Sequence, residues 1–82
     1  MKITSAESLA LACKEARVRG GLTQSEAAQA VGIKQATVSA FENHPERSRV
    51  DTLFKLMAAL GVEMHVTERD QDHGGQAWSE EW

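Results

Sequence analysis

Residues 34–43 read KQATVSAFEN. Lys34, Gln35, Thr37 and Ser39 crowd hydrogen-bonding groups into the stretch, while Val38 and Phe41 supply apolar side chains. The Lys34 ammonium only donates, whereas the Gln35 carboxamide sets a donor beside an acceptor. Such groups can read the edges of nucleic-acid bases. Lysine matches the O6 and N7 acceptors of guanine, and glutamine matches the N6 donor and N7 acceptor of adenine. Ala36 or the Thr37 methyl suits the methyl group of thymine. A merely solvated helix face has the same composition, so the surrounding elements must decide between the two.

Covalent chemistry is poorly provided for. His44, His65 and His73 are scattered, no two share helical spacing, and no carboxylate cluster joins them. Neither a metal site nor a general-base pair is indicated. The single cysteine, Cys13, allows no intrachain disulfide and falls on the apolar side of a predicted helix. It is expected to behave as a small hydrophobe rather than a nucleophile. No glycine-rich phosphate loop follows a strand. The expectation is a protein without catalytic centre, metal or cofactor.

The elements that hold KQATVSAFEN can be placed from caps and breakers. Thr4-Ser5-Ala6-Glu7 fits a capping box and opens a first helix to about Arg19, with Leu9, Cys13 and Ala16 on its apolar face. Gly20-Gly21 ends it. A second capping box, Thr23-Gln24-Ser25-Glu26, opens a short helix through Ala30 with Ala27, Ala28 and Val31 facing inward. After Gly32 a third helix spans Lys34–Glu42, anchored by Val38 and Phe41 and stopped by Asn43-His44-Pro45. A looser cap from Ser48 and Asp51 opens a fourth helix to Leu60. Its apolar residues Val50, Leu53, Phe54, Leu56, Met57 and Leu60 suggest a broad buried face.

The period then changes. Val62, Met64 and Val66 alternate with Glu63, His65 and Thr67, as a strand would require. A lone strand leaves its backbone groups unpaired, so the same strand of a second copy is the natural partner, in an antiparallel ribbon across a two-fold axis. The alternative is a frayed extension of the fourth helix.

Net charge constrains the partners. The 82 residues carry a formal charge of -3, which argues against a protein that simply coats nucleic acid. The acidity is local, however. Residues 70–82 hold Asp70, Asp72, Glu80 and Glu81 with no basic residue, whereas residues 1–69 hold all nine lysines and arginines against eight acids. With its glycines and lack of period, the 70–82 segment is expected to be a flexible acidic tail, yet it contains Trp78 and Trp82. An 82-residue chain implies one domain, only marginally stable alone, so a second copy or a partner would help it. Without an apolar N-terminal leader or an apolar run of about 18 residues, a soluble, cytoplasmic protein with no membrane partner is expected.

The second and third helices have the spacing of a helix-turn-helix. With Gln24 as the first position, Ala28 is fifth, Gly32 ninth and Val38 fifteenth. A small residue lets the helices cross closely, a glycine accepts the positive φ of the turn, and a β-branched apolar residue locks the second helix on the first. In such a unit the start of the second helix enters the major groove. That places Lys34, Gln35, Ala36 and Thr37 at base edges, with Ser39 one turn along. The Gln24 and Ser25 amides at the preceding helix start would suit a phosphate.

LTQSEAAQAVGIKQATVSAFEN resembles the lambda-repressor-like (Cro/cI, or XRE) helix-turn-helix family, and within it the HipB-type antitoxins. TQSE, GIKQATVS, and FEN with a proline two residues on carry the likeness, together with a tail ending in Glu-Trp. It covers about residues 9–69 and the last two. It implies an all-α fold: a four-helix lambda-repressor-like domain over 1–61, a dimerisation strand over 62–69 carrying Val62, Met64 and Val66, and the tail over 70–82. Base contacts are implied at Lys34, Gln35, Ala36 and Ser39. Phosphate or minor-groove contacts are implied at Gln24, Asn43, Arg47 and Arg49, and an ion pair between Arg17 and Glu42. The family binds palindromic operator DNA as a homodimer and neutralises HipA-like serine/threonine kinase toxins, with Trp82 docking on the kinase. Trp78 is an extra tryptophan that competes for that role, and both rings could instead fold back on their own dimer. The function implied is an autoregulating repressor and antitoxin. The alternatives are a phage- or plasmid-type repressor with no toxin, and an interaction module that has lost DNA binding.

Overall fold

The computed structural model describes residues 2–69. The predicted tail, with Trp78 and Trp82, lies outside the described residues. Four helices follow one another: α1 (Ala6–Arg19), α2 (Gln24–Ala30), α3 (Gln35–Asn43) and α4 (Val50–Leu60). A 3₁₀ turn, Pro45–Arg47, lies between α3 and α4.

The cap of α1 differs from the expected one. Ser5, not Thr4, is the N-cap, and Ser8 closes the box where Glu7 was expected. Ser8 N donates to Ser5 Oγ at 3.0 Å, and Ser5 N donates to Ser8 Oγ at 3.2 Å. Two adjacent hydroxyls offer two locally sound frames, and the structure takes the later. The cap of α2 is as expected: Glu26 N donates to Thr23 Oγ1 at 3.0 Å, and Thr23 N donates to Glu26 Oε1 at 2.9 Å.

The cap expected for α4 does not form. Pro45 seeds the 3₁₀ turn, and Ser48 N donates back to Pro45 O at 3.1 Å, so Ser48 closes that turn instead of capping α4. Arg49 becomes the N-cap without a side-chain bond, and Asp51 accepts from Thr52 N at 2.9 Å.

α1, α2 and α4 end on the same device. After α2, Gly32 takes φ 71°, Gly32 N donates to Gln29 O, and Ile33 N donates to Ala28 O. These 5→2 and 6→1 bonds make a Schellman motif, which satisfies carbonyls the helix leaves open. Gly61 repeats it after α4 at φ 70°, with Val62 N donating to Met57 O at 3.1 Å. In both, the apolar residue after the glycine turns back onto the core.

That core draws on every helix: Ala10 and Cys13 of α1, Ala27 and Ala28 of α2, Val38 and Phe41 of α3, and Leu53, Leu56 and Met57 of α4. Ala27 and Ala28 are 0% and 1% exposed, which is how α2 lies so close to α3. Leu9 is only partly buried, and Ala10 takes the inward place beside Cys13 and Ala16. Burial and the Glu42 charge push the Cys13 thiol pKa above its ordinary value, as befits a thiol used for packing.

The broad buried face expected of α4 is narrower than the sequence suggested. Val50 and Phe54, one turn apart, remain 67% and 53% exposed. Residues 62–69 form no strand in the single chain. Strands are defined by their ladders, and this segment has no second strand beside it among the described residues. Val62 packs against the chain's own core, while Met64 and Val66 face outward.

Candidate nucleic-acid interface

α3 is divided lengthwise. Val38 and Phe41 are buried, and Phe41 is among the largest fully enclosed side chains. Lys34, Gln35 and Ala36 are exposed at its start, and Thr37 and Ser39 are half-buried. Lys34 is the N-cap, with extended backbone and no side-chain bond to the helix, so its ammonium makes no cap. The structure therefore brings the predicted base-reading residues together on one exposed end and flank of the helix.

A hydrogen-bonded chain runs beneath that surface. Arg17 Nε donates to Glu42 Oε2 at 2.7 Å and Arg17 Nη2 to Glu42 Oε1 at 3.1 Å, while Arg17 Nη1 donates to Leu22 O at 2.9 Å. The side chains are only 11% and 5% exposed, so this two-pronged pair ties α1 to α3 largely out of water. The Arg17–Glu42 pairing implied by the family resemblance is present. Burial pushes the Glu42 carboxyl up, but hydrogen bonds from Arg17 and Gln24 and the charges of Arg17 and Lys14 outweigh it and hold its pKa below the ordinary carboxylate value. The bond to Glu42 raises the pKa of Arg17 further, against its own burial.

The chain extends to the start of α3. Gln24 Nε2 donates to Glu42 Oε1 at 2.9 Å, and Gln35 Nε2 donates to Gln24 Oε1 at 2.6 Å. Sequence reasoning placed Gln24 at a phosphate and missed this second engagement. Gln24 and Glu42 lie 18 residues apart, and no local pattern signals a contact over that distance.

The other predicted phosphate contacts are arranged as follows. Ser25 is exposed in the first turn of α2. Thr23 takes the Glu26 amide, and the first amides of α2 have no intrahelical partner. Asn43 Nδ2 donates to Ser39 O at 2.9 Å and to Ser39 Oγ at 3.3 Å, so it steadies the last turn of α3. Arg47 is exposed 4.0 Å from Glu46, and Arg49 pairs with Asp51 at 3.2 Å. Exposed pairs of this kind hold their partners weakly, leaving both arginines exchangeable with an external anion. Among the described residues no group of three or more histidine, cysteine or acidic side chains could hold a metal ion, and no helix is long and apolar enough to cross a membrane.

Two short helices crossing at a pair of alanines, hinged at a positive-φ glycine and presenting a polar helix start, make this a helix-turn-helix protein. The helix-turn-helix family model matches residues 14–66. Antitoxin HipB of Escherichia coli (strain K12) is 48% identical over 67 residues, covering 82% of this chain and 76% of that protein. The chain belongs to the HipB family of helix-turn-helix antitoxins. Among solved structures, a chain of the HipA-HipB-O2-O3 complex matches with a TM-score of 0.83 at 43% identity, covering 85% of this chain and 99% of that one. The HipB-O4 20mer complex matches with the same score, identity and coverage.

Proposed function

We propose that this chain is a DNA-binding transcriptional repressor and antitoxin, which binds operator DNA and a HipA-like kinase toxin and represses its own operon. The observation that carries this reading is the exposed start of α3, with Lys34, Gln35 and Ala36 outward and Val38 and Phe41 fixed below. The similar chains of the HipA-HipB-O2-O3 complex and of the HipB-O4 20mer complex support both partners.

Lys34 and Gln35 contact base edges in the major groove, Ala36 or the Thr37 methyl meets a thymine methyl, and Ser39, one turn along, contacts a base edge. Gln24 and Ser25 at the start of α2 face one phosphate, and Asn43, Arg47 and Arg49 face the backbone on the other side. A homodimer, joined through residues 62–69 with Met64 and Val66 outward from each copy, sets two α3 helices about one helical turn of DNA apart, roughly 34 Å, on a palindromic operator. The acidic tail meets the kinase through Trp82 or Trp78. The protein is non-catalytic and works in the cytoplasm.

Gln35→Ala tests the base-reading role. Operator affinity is expected to fall by about 1–3 kcal/mol at unchanged thermal stability, read by fluorescence anisotropy on the duplex. Unchanged operator affinity would remove Gln35 from the interface.

A further inference from the structure

We infer that Asn43, in the last turn of α3, is a positioning residue for Ser39: its amide holds the Ser39 hydroxyl as a hydrogen-bond donor, so the base edge that Ser39 meets is one that accepts. This rests on the base-edge role proposed above for Ser39. It assigns the Asn43 amide to that hydroxyl and leaves the backbone contacts on this side to Arg47 and Arg49.

The partner of the amide settles which end of it faces Ser39. Asn43 Nδ2 lies 2.9 Å from Ser39 O, and a backbone carbonyl only accepts. The atom that meets it is therefore the NH₂ group, since turning the carboxamide over would set two carbonyl oxygens face to face. The same nitrogen lies 3.3 Å from Ser39 Oγ. An amide NH₂ only donates, so the hydroxyl oxygen accepts there. A serine hydroxyl has one hydrogen and two lone pairs and ordinarily serves in either sense. Here one lone pair is taken, and accepting a bond polarises the O–H for donation. In a helix such a hydroxyl commonly gives its hydrogen to the carbonyl four residues back. Ser39 makes no such bond to Gln35, and its hydrogen has no acceptor among the described residues. Ser39 is half-buried and Asn43 exposed, one turn apart on the same flank of α3, so the hydroxyl reaches any ligand already held in place. In the major groove guanine O6 and N7, adenine N7 and thymine O4 accept, whereas cytosine offers only its N4 donor. The position that Ser39 meets is thus read against cytosine.

The test uses the full chain as wild type, Ser39→Ala, Asn43→Ala and the double variant. Binding sites are selected from a randomised duplex pool, and affinities for the four bases at each position are then measured. We expect Ser39→Ala to abolish base preference at one position of each half-site. Asn43→Ala should admit cytosine at that same position, raising its relative affinity roughly three- to tenfold, and leave preferences at the others intact. In the Ser39→Ala background, Asn43→Ala should alter no preference further. A residue that only steadies the helix end, or only meets a phosphate, weakens all sequences alike. Uniform weakening in Asn43→Ala, with discrimination against cytosine kept, would therefore overturn the inference. So would affinities that do not change at all. A Ser39→Ala protein with unaltered preferences would overturn the inference together with the base-edge role of Ser39, a result separable from the other two.

Discussion

Where α2 packs against α3 the apolar anchors are inside, and four polar side chains, one of them from α1, satisfy each other. Ala27, Ala28, Val38 and Phe41 are buried, and Arg17, Glu42, Gln24 and Gln35 form one hydrogen-bonded chain. Along the outer side of α4 and through residues 62–69 the order is reversed. Val50, Phe54 and Met64 stand exposed, Val66 is 89% exposed, and the backbone of the segment has no ladder. The first region is complete within one chain. The second has the composition of an interior and the exposure of a surface, which suits a region completed by a second copy.

Substitutions can break that contrast. Phe41→Ala removes the largest side chain enclosed under α3 and should cost about 3–5 kcal/mol, read as a lower urea midpoint. Glu42→Ala strands Arg17 in a site only 11% exposed, with an expected loss of about 3 kcal/mol. It should also alter the pH profile. The folded-state pKa of Glu42 is depressed, so its contribution is full above the ordinary value near 4.5 and is lost as pH falls through the lower folded value. Denaturation between about pH 3 and pH 7 should show a shallower acid limb in Glu42→Ala than in wild type.

Smaller changes sharpen the comparison. Gly32→Ala and Gly61→Ala have nearly the same φ, 71° and 70°, and at each a new Cβ meets nothing within 4 Å. Both should lose about 1–2 kcal/mol through backbone strain alone, measured by thermal melting. The smallest effect on stability belongs to Val66→Asp. Outward on each copy, it should shift the melting of the monomeric domain by less than about 0.5 kcal/mol while splitting dimers in analytical ultracentrifugation. A dimer that survives it would move the interface away from residues 62–69.

Most of the fold was legible in local signals. Gly20-Gly21, Gly32, Gly61 and the Thr23 box mark three helix ends and one start, because each is a backbone requirement met by residues close in sequence. The α1 cap was misplaced by one residue because Thr4 and Ser5 both supply a hydroxyl. The α4 cap was misplaced because Pro45 builds a turn that uses up Ser48. Val50 and Phe54 show that an apolar stripe in sequence does not state who covers it. The helix-turn-helix unit was legible through spacing from Gln24 to Val38, whereas the Gln24–Glu42 bond depends on two helices meeting in space. The Arg17–Glu42 pair came from family resemblance, not from periodicity.

The division of α3 also bears on how such a protein could change its target. Lys34 and Ala36 owe nothing to the interior, so, on the proposed reading, a lineage could exchange them and acquire a new operator while the domain folds as before. Gln35 lacks that freedom. Its carboxamide is bonded to Gln24, and behind Gln24 lies the carboxylate that joins α3 to α1. On the proposed reading, one position of the operator is met by a side chain bonded to the scaffold, and its neighbours are met by side chains open to revision.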